Sequence, residues 1–421
     1  MKVLIVNTSE RTGGAAIAAY RLKEALNRNG VKAKMLVRDK QSQEITVSVL
    51  KKSWRHRVQF LWERFVIWKN NCFSKNNLFQ VDIANTGTDI TTLPEFQEAD
   101  VIHLHWINQG FLSLNNINKI IHSGKPIIWT MHDMWPFTGI CHYSGTCTRY
   151  QTACQDCPML RKNGTNDLAA KIFRKKQRML QGAHITFVAC SKWLEELAKQ
   201  STLLQGQQIT SIPNTINAAV FQKLPTVASR QKFRLPTDQK LILFGSMKIT
   251  DKRKGADYLI EACQILIRKH PEHKDRMAIV MVGLEAQRMA TMFPFPVYAI
   301  DYISDEKQMA SLYAAVDAFV TPSLEDNLPN TIVEAMSCGT PCIGFRTGGI
   351  PEMIDHKTNG YIADYKNAED LAEGIHYLLE EADSRKFSEA ALHKATSTYN
   401  ESHIAMQYIH LYNQTNSGVK A

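Results

Sequence analysis

The sequence predicts an α/β protein of two consecutive doubly wound domains, parallel sheets wrapped by helices and facing a common cleft. Three observations lead there. At 421 residues the chain is long for one domain. Apolar strand-like runs alternate with amphipathic helical ones, in two series separated by the turn-rich connector "SIPNTINAAVFQKLP". The polar residues with chemical potential gather just after the strand-like runs, where open parallel sheets bind ligands. The boundary falls near residue 215, giving domains 1–215 and 216–401.

In the first series, strands are expected at 2–7 ("KVLIVN"), 33–37, 100–105 ("DVIHLH"), 126–131 ("PIIWTM") and 185–190 ("ITFVAC"). A helix begins around Gly13-Gly14 and is closed by Gly30. The second series has strands at 241–246, 277–283, 296–300, 318–323 and 341–345. No short-period repeat or low-complexity tract interrupts either.

Composition sets limits on function. A hydrophobic content of 44% and 21% charged residues are ordinary for a protein with a sizeable core. "MKVLIVNTSE" reads as a strand turning polar at Asn7, without the features of a signal peptide. No run approaches the roughly 18 apolar residues of a spanning helix. A cytoplasmic location is expected, with nine cysteines held as thiols. Charge is uneven: residues 1–200 carry a net +13 and residues 201–421 a net −3. The basic half suggests an anionic partner such as a membrane surface, a phosphorylated lipid or a nucleic acid, against the plainer reading of a solvated surface.

After the strand "AFVTPS" comes "LEDNLPNTIVEAMSCGTP". A helix should start near Asn330, which can cap it beside Pro329, and end at Gly339 before Pro341. Its first amides, at Asn330, Thr331 and Ile332, would attract a diphosphate. Asp326 could accept hydrogen bonds from a sugar, and Glu334 from a ribose diol. Alone, such a pair is more often surface capping. Upstream, "FGSMKITDKRKGADYLIEA" places Lys248, Lys252, Arg253 and Lys254 between a strand and a helix. Fixed cations there would stabilise a leaving diphosphate; the alternative is a solvated loop. Gly13-Gly14 is not a dinucleotide fingerprint. "WTMHDMWPF" ends a strand with His132 and Asp133, which could orient the imidazole. "HLHWINQG" ends another with His103, His105 and Trp106, candidates for an acceptor pocket.

The stretch "TPSLEDNLPNTIVEAMSCGTPCIGFRTGGIPEMI" closely resembles the nucleotide-sugar site of retaining glycosyltransferases with the two-Rossmann-domain (GT-B) fold, particularly family 4. The resemblance implies that Glu334 binds the ribose and Asp326 the transferred sugar. That family has Glu where Asp326 stands, with Glu325 just before it here, so Asp326 and Glu325 both remain candidates. Lys254 matches the family's phosphate lysine. The arginine position reads Ser246, so Lys248 or Arg253 must substitute. Gly13 and Gly14 would bring amides towards the donor phosphates and sugar, His132 would reach the donor sugar, and "VGLEAQRM" would lie near the nucleobase. Asn217 stands where an Asp is usual. "SHIAMQYIHLYNQ" suits the family's terminal helix, so residues 402–415 should pack back on the first, acceptor-side domain.

The implied activity is metal-independent retaining transfer of a sugar from a UDP- or GDP-linked donor to an acceptor hydroxyl. A lipid-linked or saccharide acceptor in bacterial surface-polysaccharide assembly is expected, and no nucleic acid. Rival readings are another two-Rossmann sugar enzyme (an epimerase or phosphorylase), a zinc-knuckle nucleic-acid binder, and a NAD dehydrogenase.

Two segments stand apart. "CHYSGTCTRYQTACQDCP" spaces Cys141, Cys147, Cys154 and Cys157 as C-x5-C-x6-C-x2-C, which suggests a structural four-thiolate zinc site, with His142 able to replace one thiolate. "KKSWRHRVQFLWERFVIWKNN" places Val58, Leu61, Trp62, Phe65 and Trp68 on one helical face among Lys51, Lys52, Arg55, Arg57, Arg64 and Lys69. That is the composition of a helix lying on anionic lipid at the inner face of the plasma membrane; a core-packing helix with a wet basic face is the alternative. "KIFRKKQRML" adds a second basic helical stretch.

Overall fold

The computed structural model describes residues 1–51 and 53–419; Lys52 lies outside the described residues. The chain divides into two units, residues 1–214 with 402–421, and residues 215–401.

The first unit is built on seven parallel strands: β1 (Lys2–Ser9), β2 (Lys32–Asp39), β3 (Val47–Val49), β4 (Val101–Leu104), β5 (Ile127–Met131), β6 (Thr186–Ala189) and β7 (Gln208–Ser211). Their order is β3-β2-β1-β4-β5-β6-β7. β1, β4, β5 and β6 are buried along nearly their whole length, as expected of strands covered on both faces. The edge strands β3 and β7 were not among the sequence-based expectations. They are short, and β7 (QITS) is polar and only half-buried, so neither offers the apolar run that marks a central strand.

Three helices of this unit matter for function. α1 (Gly14–Arg28) follows β1 and buries Ala19, Leu22, Ala25 and Leu26. α2 (Trp54–Asn70) starts at a Ser53 cap. α3 (Leu168–Leu180) starts at an Asp167 cap and buries Ile172, Phe173 and Lys176. The unit is completed from the far end of the chain. A helix over Glu401–Val419 sets Ile404, Ala405, Tyr408, Leu411 and Tyr412 into the same core cluster as Val3, Ile5 and Val188.

The second unit holds six parallel strands: β8 (Lys240–Lys248), β9 (Met277–Leu284), β10 (Val297–Ile300), β11 (Ala318–Thr321), β12 (Cys342–Phe345) and β13 (Gly360–Ala363), in the order β10-β9-β8-β11-β12-β13. In both sheets the chain runs outward from the first strand to one edge, then returns to continue on its other side. The loops leaving the first and fourth strands of each sheet therefore flank a topological switch point, where ligands bind in open α/β sheets. In the second unit these are the loops after β8 and β11; in the first, those after β1 and β4. Among the described residues no helix is long and apolar enough to cross a membrane.

Candidate active site

The loop after β11 leads into α4 (Asn330–Ser337). Pro329, not Asn330, is the cap residue; Asn330 is the first helical residue, and no side-chain cap bond closes the start. Proline lacks an N–H and its fixed φ suits helix entry, which explains the one-residue shift from the expected cap. The other end closes as the sequence suggests. Gly339, at φ +78°, donates its N–H to Met336 O at 2.9 Å, and Thr340 N–H reaches Ala335 O at 3.0 Å, a Schellman closure.

Three loops meet at Asp326. From the loop after β8, Lys254 Nζ donates to Asp326 Oδ2 at 2.6 Å and Arg253 Nη1 lies 3.7 Å from the same oxygen. Arg253 Nη1 also donates to Glu325 O at 2.8 Å, while Leu324 N–H donates back to Arg253 O at 2.8 Å. From the loop after β12, Gly349 N–H donates to Asp326 O at 3.3 Å. Such close approach needs glycine: a Cβ on Gly255 would lie 1.9 Å from Pro322 O, and one on Gly348 would lie 1.8 Å from Asp326 O. Burial alone would raise the Asp326 carboxyl. The charges of Lys254 and Arg253, with hydrogen bonds from Lys254 and Asn327, outweigh it and hold the group below the ordinary carboxylate range.

Glu334 is buried one turn inside α4, and its Oε2 accepts the Tyr313 hydroxyl at 3.0 Å. Lys248 is placed elsewhere, 3.3 Å from Glu285 in the loop after β9. Of the two candidates for the missing arginine, the structure thus brings Arg253, and not Lys248, to Asp326. Glu325 and Thr331 are part-exposed, and the buried Ser246 Oγ has no hydrogen-bond partner.

In the first unit, Gly13 is the α1 cap residue at φ +90°, with open space where a Cβ would project, and Gly14 is the first helical residue. β4 and β5 deliver a row of histidines. His105 Nδ1 lies 2.9 Å from His132 Nε2, and Cys190 Sγ is 3.6 Å from His132 Nδ1. His103 bonds Tyr412 OH at 2.8 Å and Thr130 Oγ1 at 2.7 Å. Burial keeps all three rings neutral, His132 down to about 4 and His103 down to about 3.

Asp133, expected to orient the His132 imidazole, raises the His132 pKa by its charge and is itself held by three other groups. Its carboxylate accepts Trp106 Nε1 at 3.0 Å and Trp135 N–H at 2.9 Å, and pairs with His142 Nδ1 at 2.7 Å. His142 Nε2 lies 2.6 Å from Asp82, which pairs with Arg64 of α2. Burial would lower the His142 pKa, but the two carboxylates raise it to about 10, so this ring is a cation at neutral pH. Sequence reasoning missed this chain of buried charges, because Arg64, Asp82, Asp133 and His142 share no local spacing.

Cys141, Cys147, Cys154 and Cys157 line one small cavity with Gly139 and Tyr150. Gly139 N–H donates to Cys154 Sγ at 3.2 Å. Burial pushes the thiols of Cys141, Cys154 and Cys157 up to about 12. Among the described residues, no group of three or more His, Cys, Asp or Glu side chains is arranged to hold a metal ion. The four thiols share that cavity. His142 is engaged by Asp82 and Asp133.

Comparison with known proteins gives this arrangement a class. The family description "Glycosyltransferase Family 4" matches residues 12–220, and "Glycosyl transferases group 1" matches residues 238–381. The chain belongs to the group 1, family 4 glycosyltransferases. Among curated proteins it is 22% identical over 379 residues to WcaC of Escherichia coli K12, a candidate colanic acid biosynthesis glycosyl transferase, covering 84% of this chain and 85% of that one. It spans about half the length of other curated relatives, such as a D-inositol 3-phosphate glycosyltransferase of Thermobispora bispora, 24% identical over 188 residues. Among solved structures, sucrose-phosphate synthase from Thermosynechococcus elongatus superposes with a TM-score of 0.68 at 19% identity, covering 99% of each chain. Anabaena HepE, solved in complex with UDP-glucose, gives 0.65 at 16% identity over 98% of this chain and 100% of its own. These structural likenesses establish the GT-B fold.

Proposed function

We propose that the protein is a retaining glycosyltransferase that moves a sugar from a nucleoside diphosphate to an acceptor hydroxyl. The observation that carries this reading is the Lys254–Asp326 contact of 2.6 Å, with Arg253 alongside, at the switch point of the second unit's sheet. In this reading Arg253, Lys254 and the first amides of α4 meet the charge that develops on the departing diphosphate. Asp326 orients Lys254 and accepts hydrogen bonds from the transferred sugar, and Glu334 accepts them from the ribose. The acceptor hydroxyl then attacks the face that the diphosphate leaves. No catalytic metal ion forms part of the proposal, since these side chains already supply fixed positive charge.

A UDP- or GDP-linked donor is supported by the fold shared with HepE, whose complex contains UDP-glucose. A lipid-linked or growing surface polysaccharide as acceptor is supported by the similarity to WcaC and by the basic first unit. His105 and Trp106 are assigned to the acceptor side.

A thermal-shift panel of nucleoside diphosphates and their sugars tests the donor, the correct base giving the largest stabilisation. With the donor known, the anomeric configuration of the product by NMR tests retention. If Asp326→Ala and Glu334→Ala both transfer sugar as well as the unaltered protein, the site assignment is wrong. Incubation of donor without acceptor separates transfer from epimerisation.

A further inference from the structure

A surface helix normally buries its apolar stripe and shows its charges to water. α2 does the reverse. Its buried residues are Glu63, Arg64 and Ile67, whereas Trp54, Val58, Leu61, Trp62 and Phe65 are 44–73% exposed, and Phe73 and Phe79 beyond its end are 61% and 63% exposed.

Polar bonds hold the inward face. Glu63 Oε1 accepts the N–H groups of Ile83 at 2.9 Å and Ala84 at 2.7 Å, and Arg64 pairs with Asp82 and donates to Val81 O at 3.0 Å. Outward, the rings touch in sequence. Trp62 stacks on Phe65 at 5.6 Å between centroids, Phe65 lies 6.1 Å from Trp68, and Trp68 meets Phe73 edge-on at 4.7 Å. Arg55, Arg57, Lys69 and Lys75 are exposed around this ridge, and the one carboxylate between residues 53 and 80, Glu63, is buried.

We propose that the outward face of α2, with the 72–79 loop, is a docking surface for an anionic lipid bilayer. Tryptophan and phenylalanine rings settle at the boundary between headgroup and acyl chain, and cations flanking them draw in anionic headgroups. Charge complementarity selects this occupant, because residues 53–80 show exposed cations and no exposed carboxylate. The helix also adjoins the candidate acceptor residues. Gly110, in the loop that leaves His105 and Trp106, packs so closely on α2 that a Cβ there would lie 2.9 Å from Phe60 N. Arg64 further joins α2 through Asp82, His142 and Asp133 to the Trp106 indole. The surface stands on the chemistry of α2; only its purpose, presenting a lipid-linked acceptor to these residues, rests on the transfer reading.

The test is co-sedimentation of the full chain with vesicles of phosphatidylcholine alone, or of phosphatidylcholine with phosphatidylglycerol. The unaltered protein should pellet with the anionic vesicles only. Arg55→Gln with Arg57→Gln should weaken binding about fivefold per cation removed, and Trp62→Ser with Phe65→Ser should abolish it. Melting temperatures near the unaltered value would show that both variants fold, since all four side chains face outward. The proposal is overturned if the protein stays in the supernatant with anionic vesicles, or if either variant binds as tightly as the original. It is equally overturned if analytical ultracentrifugation shows a dimer that the aromatic variant breaks while vesicles capture nothing. Vesicle binding without any response to nucleoside diphosphates would instead remove the transferase reading and leave the docking surface standing.

Discussion

Replacing Gly348 by alanine tests the construction of the donor site without touching any of its functional groups. The added Cβ would lie 1.8 Å from Asp326 O, where real Cβ atoms keep at least 3.0 Å, so the two loops must part by at least 1.2 Å. That movement stretches the hydrogen bond from Gly349 to Asp326 and carries the carboxylate away from Lys254. A misplacement of about 1 Å costs on the order of a hundredfold in rate. The positive φ of +56° contributes about 1–2 kcal/mol of strain of its own. Gly124→Ala is the matched control: its φ is +74° and its Cβ would meet nothing within 4 Å. Both variants should lose a few degrees of melting temperature. Only Gly348→Ala should lose about a hundredfold in kcat/KM, measured with the donor found by the thermal-shift panel and well below the melting transition. Equal kcat/KM for the two variants would refute the claim that the loops after β11 and β12 position Asp326 by close packing.

Other consequences follow from the same geometry. Lys254→Met should lower kcat by about 10²–10³-fold while leaving the fold intact; an unchanged kcat in steady-state assays would remove Lys254 from the chemistry. Tyr313→Phe deletes the hydroxyl bonded to Glu334 and should raise KM for the donor more than it changes kcat, so a pure kcat effect would speak against ribose binding by Glu334. The His142 pKa is raised to about 10 in the folded chain, so its contribution to stability is complete below about 6.5 and is lost as pH rises through about 10. His142→Gln should therefore be less stable to unfolding than the unaltered protein at pH 7, by about 3–5 kcal/mol, and the difference should shrink towards pH 10. A gap that widens with pH would contradict the buried ion chain. For the cysteine cavity we propose a structural zinc ion drawing the four thiols together. Protein made with zinc should then carry near-stoichiometric metal and lose stability on chelation, whereas four freely titrating thiols and no bound metal would dismiss it.

The central strands were legible because each is a short apolar run ending in polar residues, as "DVIHLH" and "PIIWTM" are. β3, β7 and β13 were not among the expected strands: VSV and QITS offer no such run, and GYIA is only a four-residue one. The meeting of Lys254 with Asp326 could be anticipated because both lie just past strands that a doubly wound sheet places side by side. Which cation reaches Asp326 could not, because it depends on the extra residues after Ser246 and on Glu285 capturing Lys248. Least legible was the outward turn of α2. Its apolar spacing fits a buried face equally well, and only Asp82 and the 83–84 amides, which claim Arg64 and Glu63, decide which way the rings point.

The helix over Glu401–Val419 has a consequence for biogenesis. It supplies the Tyr412 hydroxyl to His103 and the Tyr408 hydroxyl to Thr130, both deep in the first unit. A ribosome synthesises all of residues 215–401 before releasing that helix, so the half of the protein that is made first must wait for its last wall. Until then a groove lined by Val3, Ile5 and Val188 stands open to water, and a polypeptide cut short before residue 402 would present it permanently to chaperones and proteases.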